Sequence, residues 1–143
     1  EVISHFIFFS ERVLGCLELK WAKVIYPKDK LLCETDVLAR LETKDGKCVN
    51  ILASVGGAQP DRQEMTVRGT AKSRRISEFY KDSESNGLEF IPLREEAKDP
   101  RAISLKAQLD DLEKVYNGHP NKLATVDEAL RVQVLIESIL SSN

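Results

Sequence analysis

Glu1 and His5 are the residues of this chain whose types and spacing best suit proton chemistry. Four residues apart on a helix, they share a face, with Ser4 beside them and Phe8 one turn further on. A carboxylate next to an imidazole fixes the ring's tautomer and stabilises its protonated form, which a general acid or base requires. In the first turn the positive end of the helix dipole favours the neutral ring, whereas the carboxylate favours the charged one. Spacing alone leaves two readings open: a proton-transfer pair, or a surface histidine held by its neighbour.

No other constellation competes. His119 precedes Pro120 in a loop setting. The segment GTAKS falls short of a phosphate loop, and neither G-x-x-x-x-G-K-[ST] nor G-x-G-x-x-G occurs. There is no nucleophile elbow. Cys16, Cys33 and Cys48 are odd in number, form no C-x-x-C pair and have no neighbouring histidine to complete a zinc set; they are expected to be reduced, cytosolic and buried. Lys72, Arg74 and Arg75 are followed closely by Glu78, Asp82 and Glu84, so a solvated charged face is expected rather than a phosphate site. Trp21 and Tyr26 are expected in the core rather than along a pocket.

The elements that must position Glu1 and His5 start with the helix EVISHFIFFSERVLG. Val2, Phe6, Phe9 and Val13 recur at helical spacing as an apolar stripe, and Gly15 supplies the stop. No capping residue precedes it, which leads us to expect a longer polypeptide with part of the machinery upstream of Glu1. Alternation then takes over. CLELKWAKVIY sets Leu17, Leu19, Trp21 and Ile25 near one face, and CETDVLARLE alternates Thr35, Val37, Ala39 and Leu41. Asp45-Gly46 predicts a hairpin into CVNILASV. RQEMTVRG and SRRISEFYK read as further strands, DSESNG as a polar loop, and LEFIPL as an edge segment because Pro92 lacks a donor. Two helices follow, one opened by Pro100 and closed by Gly118, the other announced by the T-x-x-E box of Thr125 and Glu128.

Helix, strands and two helices in that order predict an α+β fold over a single domain, residues 1–143, with an open, mostly antiparallel sheet. Helices cover one face and leave the other available for oligomerisation. With 42% hydrophobic and 31% charged residues and a net charge of -2, the chain has the composition neither of a disordered tail nor of a basic nucleic-acid binder. No apolar run approaches the roughly 20 residues of a membrane span. A cytoplasmic protein without nucleic-acid or membrane partners is expected.

Three pieces together resemble the C-terminal, substrate-side domain of the Gfo/Idh/MocA oxidoreductases: the opening E-x-x-x-H helix ending in VLG, the middle EMTVRGTAKSRRIS, and the closing ATVDEALRVQVLIESIL. In that family a Rossmann domain comes first, and the second domain opens with a helix bearing D-x-x-x-H. The resemblance implies that His5 takes or gives the substrate hydroxyl proton during hydride transfer and that Glu1 is its acidic partner. Glu in place of the usual Asp is a departure, as is Lys72 where the family has Gly. The resemblance further implies NAD or NADP in the intact protein and a sugar, polyol or similar small molecule as substrate. The upstream dinucleotide domain is absent, so this chain alone is expected to bind no cofactor and to be inactive. A homo-oligomer through the sheet is implied as well. The rival reading is a non-catalytic interaction or dimerisation module that uses the open sheet face.

Overall fold

The first helix, α1 (Val2–Leu14), carries most of its apolar residues over one broad arc, so periodicity alone does not select which part of that arc is buried. In the computed structural model, which describes residues 2–29 and 31–142, that side is Ile7 and Ser10, with Ile3 also packed on the core. Val2, Phe9 and Val13 of the expected stripe are exposed instead. Ser10 is tolerated inside because its hydroxyl donates to the Phe6 carbonyl at 2.7 Å. Gly15, at φ 102, ends the helix through an N–H to the Glu11 carbonyl, a conformation that an L side chain would strain.

The chain divides into two compact units, one joining the segment up to Ala58 to that from Ala124 onward, the other spanning Gln59–Leu123. In the first, β1 (Leu17–Ile25), β2 (Asp36–Thr43) and β3 (Cys48–Ser54) form an antiparallel sheet in that order. Gly46, at φ 83, makes the β2–β3 turn that Asp45-Gly46 announces. Val37, Ala39, Leu41 and Thr43 all face inward and are buried. The last helix, α3 (Val126–Leu140), covers them with Val132, Leu135 and Ile139.

A bulge corrects the reading of β1. Leu19 pairs with Leu41 but Trp21 pairs with Arg40, so Lys20 is the extra residue. Leu17 and Leu19 face the core before it, Ala22 and Val24 after it. Trp21 and Ile25 therefore turn outward, Trp21 at 54% exposure, and Tyr26 is exposed with its hydroxyl donating to the Leu140 carbonyl. These are not core aromatics. The cysteines also differ from expectation, since all three are exposed. Cys16 follows the helix stop, Cys33 lies in the β1–β2 connection, and Cys48 stands on the outward side of β3, where Arg40 donates to its sulfur.

The second unit contains β4 (Glu64–Arg68), β5 (Ser73–Ser77), β6 (Lys81–Ser85) and β7 (Ile91–Pro92) in an antiparallel sheet, then α2 (Pro100–Tyr116). The strand expected through SRRISEFYK stops at Ser77, and the segment expected as a polar loop supplies β6. Between them Glu78 and Phe79 take left-handed conformations, φ 52 and 63, without glycine or asparagine to signal the turn. Pro92 lies on the edge strand as anticipated. Asp99 caps α2 through the Ala102 N–H, and Pro100 occupies its first turn. The basic cluster is neutralised: Lys72 and Arg74 both meet Glu84, at 2.6 and 3.0 Å, and Arg75 lies over the Phe90 ring at 3.7 Å. Lys72 and Arg74 together lower the Glu84 carboxyl below its ordinary value. Among the described residues, no helix is long and apolar enough to cross a membrane.

The burial of α3 yields a direct test. Leu135→Ala should cost about 2–5 kcal/mol by leaving a cavity, whereas Leu130→Ala, at an exposed position of the same helix, should change stability by no more than about 0.5 kcal/mol. Urea unfolding monitored by circular dichroism distinguishes them.

Candidate functional site

His5 lies on the exposed side of α1, and Glu1 lies outside the described residues, so the pairing of the two is not described. The helical repeat sets His5 on one line with Phe8 and Arg12, at i, i+3 and i+7, and beside the exposed Val2 and Phe9. His5 thus has an apolar neighbourhood on one flank and a charged one on the other.

The charged flank is built from both ends of the chain. Arg12 donates from Nε and from an Nη to the two carboxylate oxygens of Glu128, at 2.9 and 2.8 Å, and its guanidinium lies 5.1 Å from the centre of the Phe8 ring. Glu128 completes the capping box with Thr125: its carboxylate accepts the Thr125 N–H while the Thr125 hydroxyl accepts the Glu128 N–H. The Arg12 hydrogen bonds first, then the Thr125 N–H, pull the Glu128 carboxyl from 4.5 down to about 2. Glu11, whose side chain is 8% exposed, accepts the Leu17 N–H at 3.1 Å and lies 3.6 Å from Arg131. Phe8, Glu11, Arg12, Glu128 and Arg131, with Gly15 and Cys16, line a cleft of about 110 Å³.

That volume is small beside the roughly 300–1,000 Å³ of ordinary ligand sites. All strand pairings among the described residues are antiparallel, so no parallel βαβ unit is available to cradle a dinucleotide. The described residues contain no group of histidines, cysteines and carboxylates suited to a metal. Sequence reasoning found the capping role of Glu128 but missed its partner. Nothing local marks an ion pair between residues 116 positions apart.

No protein-family model matches the sequence, and no curated protein matches it. Solved structures do. A dehydrogenase (MviM) from Clostridium difficile superposes on 96% of this chain and 45% of its own, at 13% identity and a TM-score of 0.76. KijD10, a 3-ketoreductase from Actinomadura kijaniata solved with TDP-benzene and NADP, covers 97% of this chain and 45% of its own, at 17% identity and TM-score 0.70. The WlbA dehydrogenase from Bordetella pertussis, in complex with NADH and UDP-GlcNAcA, covers 96% and 42%, at 14% identity and TM-score 0.67. The chain shares its fold with part of each of these neighbours, which are Gfo/Idh/MocA-type oxidoreductases. The chain spans less than half the length of each of these Gfo/Idh/MocA-type structures.

The Arg12–Glu128 pair predicts a pH effect whose sign follows from the lowered carboxyl. A depressed carboxyl stabilises the folded state fully above its ordinary value of 4.5, and loses that contribution as pH falls toward about 2. Glu128→Gln keeps a capping side chain but not the charge. The thermal midpoint of the wild type should therefore fall more steeply than that of the variant between pH 4.5 and about 2. Parallel curves would show that the pair does not stabilise the fold.

Proposed function

We propose that the chain is the substrate-binding and oligomerisation domain of an NAD(P)-dependent oxidoreductase acting on a secondary alcohol or carbonyl of a sugar, polyol or similar small molecule. The observation that supports this reading best is a fold shared over nearly the whole chain with dehydrogenases and a ketoreductase, including one solved with NADP and one with NADH. The sequence adds a histidine on the exposed side of the opening helix.

In this reading residues 1–143 act together as one C-terminal domain, and a Rossmann domain upstream holds the dinucleotide, which supplies the hydride chemistry. The chain itself contributes the proton. In the oxidation direction a ring nitrogen of His5 accepts the substrate hydroxyl proton as the C–H hydride departs; in reduction it returns that proton to the carbonyl oxygen. Glu1 fixes the ring's tautomer and supports the imidazolium. KijD10 and WlbA were solved with nucleotide-linked ligands, which favours a hydroxylated, sugar-like substrate here. The chain alone is inactive, and the intact protein is cytoplasmic.

A second reading is favoured by the outward face of the first sheet, where Trp21, Ile25, Leu38 and Leu52 are exposed. There the domain is a non-catalytic module that docks through the sheet. One set of measurements separates the two. NADH and NADPH are titrated by fluorescence against this chain and against the protein with its upstream segment restored, and turnover is then screened on polyols and sugars. Binding by the longer protein alone is expected, with His5→Ala lowering kcat by about 10²–10⁴-fold and leaving dinucleotide affinity unchanged. If the longer protein binds neither nucleotide, the oxidoreductase reading fails.

A further inference from the structure

Two Asn-Gly pairs occur in the chain, Asn86-Gly87 and Asn117-Gly118. In such a pair the backbone nitrogen that follows the asparagine can attack the side-chain amide carbon, because glycine places no Cβ beside that nitrogen. The structure sets the two pairs in opposite surroundings. Asn117 is the C-cap of α2, at ψ 6, so the Gly118 nitrogen eclipses the residue's own nitrogen and points away from its side chain. The Asn117 Nδ2 donates to the Glu113 carbonyl at 3.0 Å, and the Gly118 N–H donates to the Val115 carbonyl at 3.1 Å. Attack there requires both bonds to open and the helix end to unwind. Asn86 instead lies in the exposed connection between Ser85, the last residue of β6, and Ile91, the first of β7. Its side chain makes no hydrogen bond among the described residues. A Cβ added at Gly87 would meet no atom within 4 Å, and a single bond, from the Gly87 N–H to the Ser85 hydroxyl at 3.1 Å, holds the nitrogen.

We infer that Asn86 is a self-modifying position, which converts to aspartate and isoaspartate in the folded protein while Asn117 stays an amide. The inference is independent of the proposed function. The Gly87 nitrogen loses its proton to hydroxide and forms a bond to the Asn86 Cγ. The bond from Cγ to the amide nitrogen breaks, ammonia leaves with a proton from water, and a five-membered succinimide remains. A second water then opens the ring, its hydroxyl going to a ring carbonyl carbon and its proton to the nitrogen. Opening at Cγ gives aspartate; opening at the backbone carbonyl routes the chain through Cγ and gives isoaspartate. No oxidant or reductant is involved. Either product adds a negative charge two residues from Glu84, which already meets Lys72 and Arg74. Isoaspartate also lengthens the backbone by one methylene in the connection that leads to β7. That strand has two residues, held by the pairs Ser83 with Pro92 and Glu84 with Ile91, and is followed by the Leu93 N–H, which donates to the Asp82 carbonyl at 2.9 Å. The longer connection loosens this edge.

Incubation of the 143-residue chain in mildly alkaline buffer, followed by peptide mapping by mass spectrometry and enzymatic methylation of isoaspartate, tests this. In the folded chain Asn86 should convert about tenfold or more faster than Asn117, which must first give up two hydrogen bonds. Conversion should quicken as pH rises, because the nitrogen attacks without its proton. In urea the two pairs should convert at similar rates, which assigns the difference to the fold. Hydrogen exchange at the Leu93 amide should be faster in the isoaspartate form than in Asn86→Asp, which carries the charge without the added methylene. Equal rates at the two positions in the folded chain, faster conversion at Asn117, or an Asn86 that converts in urea but not in the folded chain overturns the inference. Equal exchange at Leu93 in the two forms overturns the effect on β7.

Discussion

Val37, Ala39 and Leu41 point to one side of β2, and burying them is the condition on which the rest of the first unit depends. A central strand with an apolar side needs a cover, and the neighbouring strands cannot provide it because their inward residues lie in the same layer. Two helices meet the requirement. Ile7 and Ser10 of α1 enter the core from one end of the chain, and Val132, Leu135 and Ile139 of α3 from the other. The β1 bulge serves the same end: it realigns Ala22 and Val24 with the core after Leu17 and Leu19 have faced it, and thereby commits Trp21 and Ile25 to the outside.

Covering that side also orients the candidate site. Once Ile3, Ile7 and Ser10 face inward, the 3.6-residue repeat leaves His5 outward, between Arg12 and the exposed apolar residues. Arg12 then anchors α1 to the capped start of α3, with Glu128 serving the cap and the ion pair at once. The position of His5 is thus a product of core packing and one two-pronged ion pair. Both lie away from the ring itself.

Features governed by neighbouring residues were legible in the sequence. The Asp45-Gly46 turn, the Gly15 stop, the Pro100 start and the Thr125 box each depend on a few adjacent positions with specific backbone or hydrogen-bonding needs. The α+β class and the antiparallel pairing followed from the order of those elements. Features set by distant partners were not legible. Nothing between Leu17 and Ile25 marks the bulge, and the broad apolar arc of α1 hides which part of it is buried. The left-handed pair Glu78 and Phe79 concealed a hairpin, because neither residue type ordinarily accepts that conformation. Of the candidate site, the placement of His5 on the opening helix was readable, while its charged neighbourhood came from residues more than a hundred positions away.

The first unit is interrupted in sequence by the second, so its core draws on residues made early and residues made late. During synthesis the β1–β2–β3 sheet emerges well before α3, and until α3 follows, Val37, Ala39 and Leu41 lack the part of their cover that α3 supplies. A nascent chain at this stage presents a paired sheet with apolar residues on both sides, a form inclined to associate with other chains. Final closure also requires a contact of very long sequence separation, which slows folding. Gene variants that stop translation before Val126 should therefore be cleared as aggregates or by proteolysis rather than persist as a shortened domain.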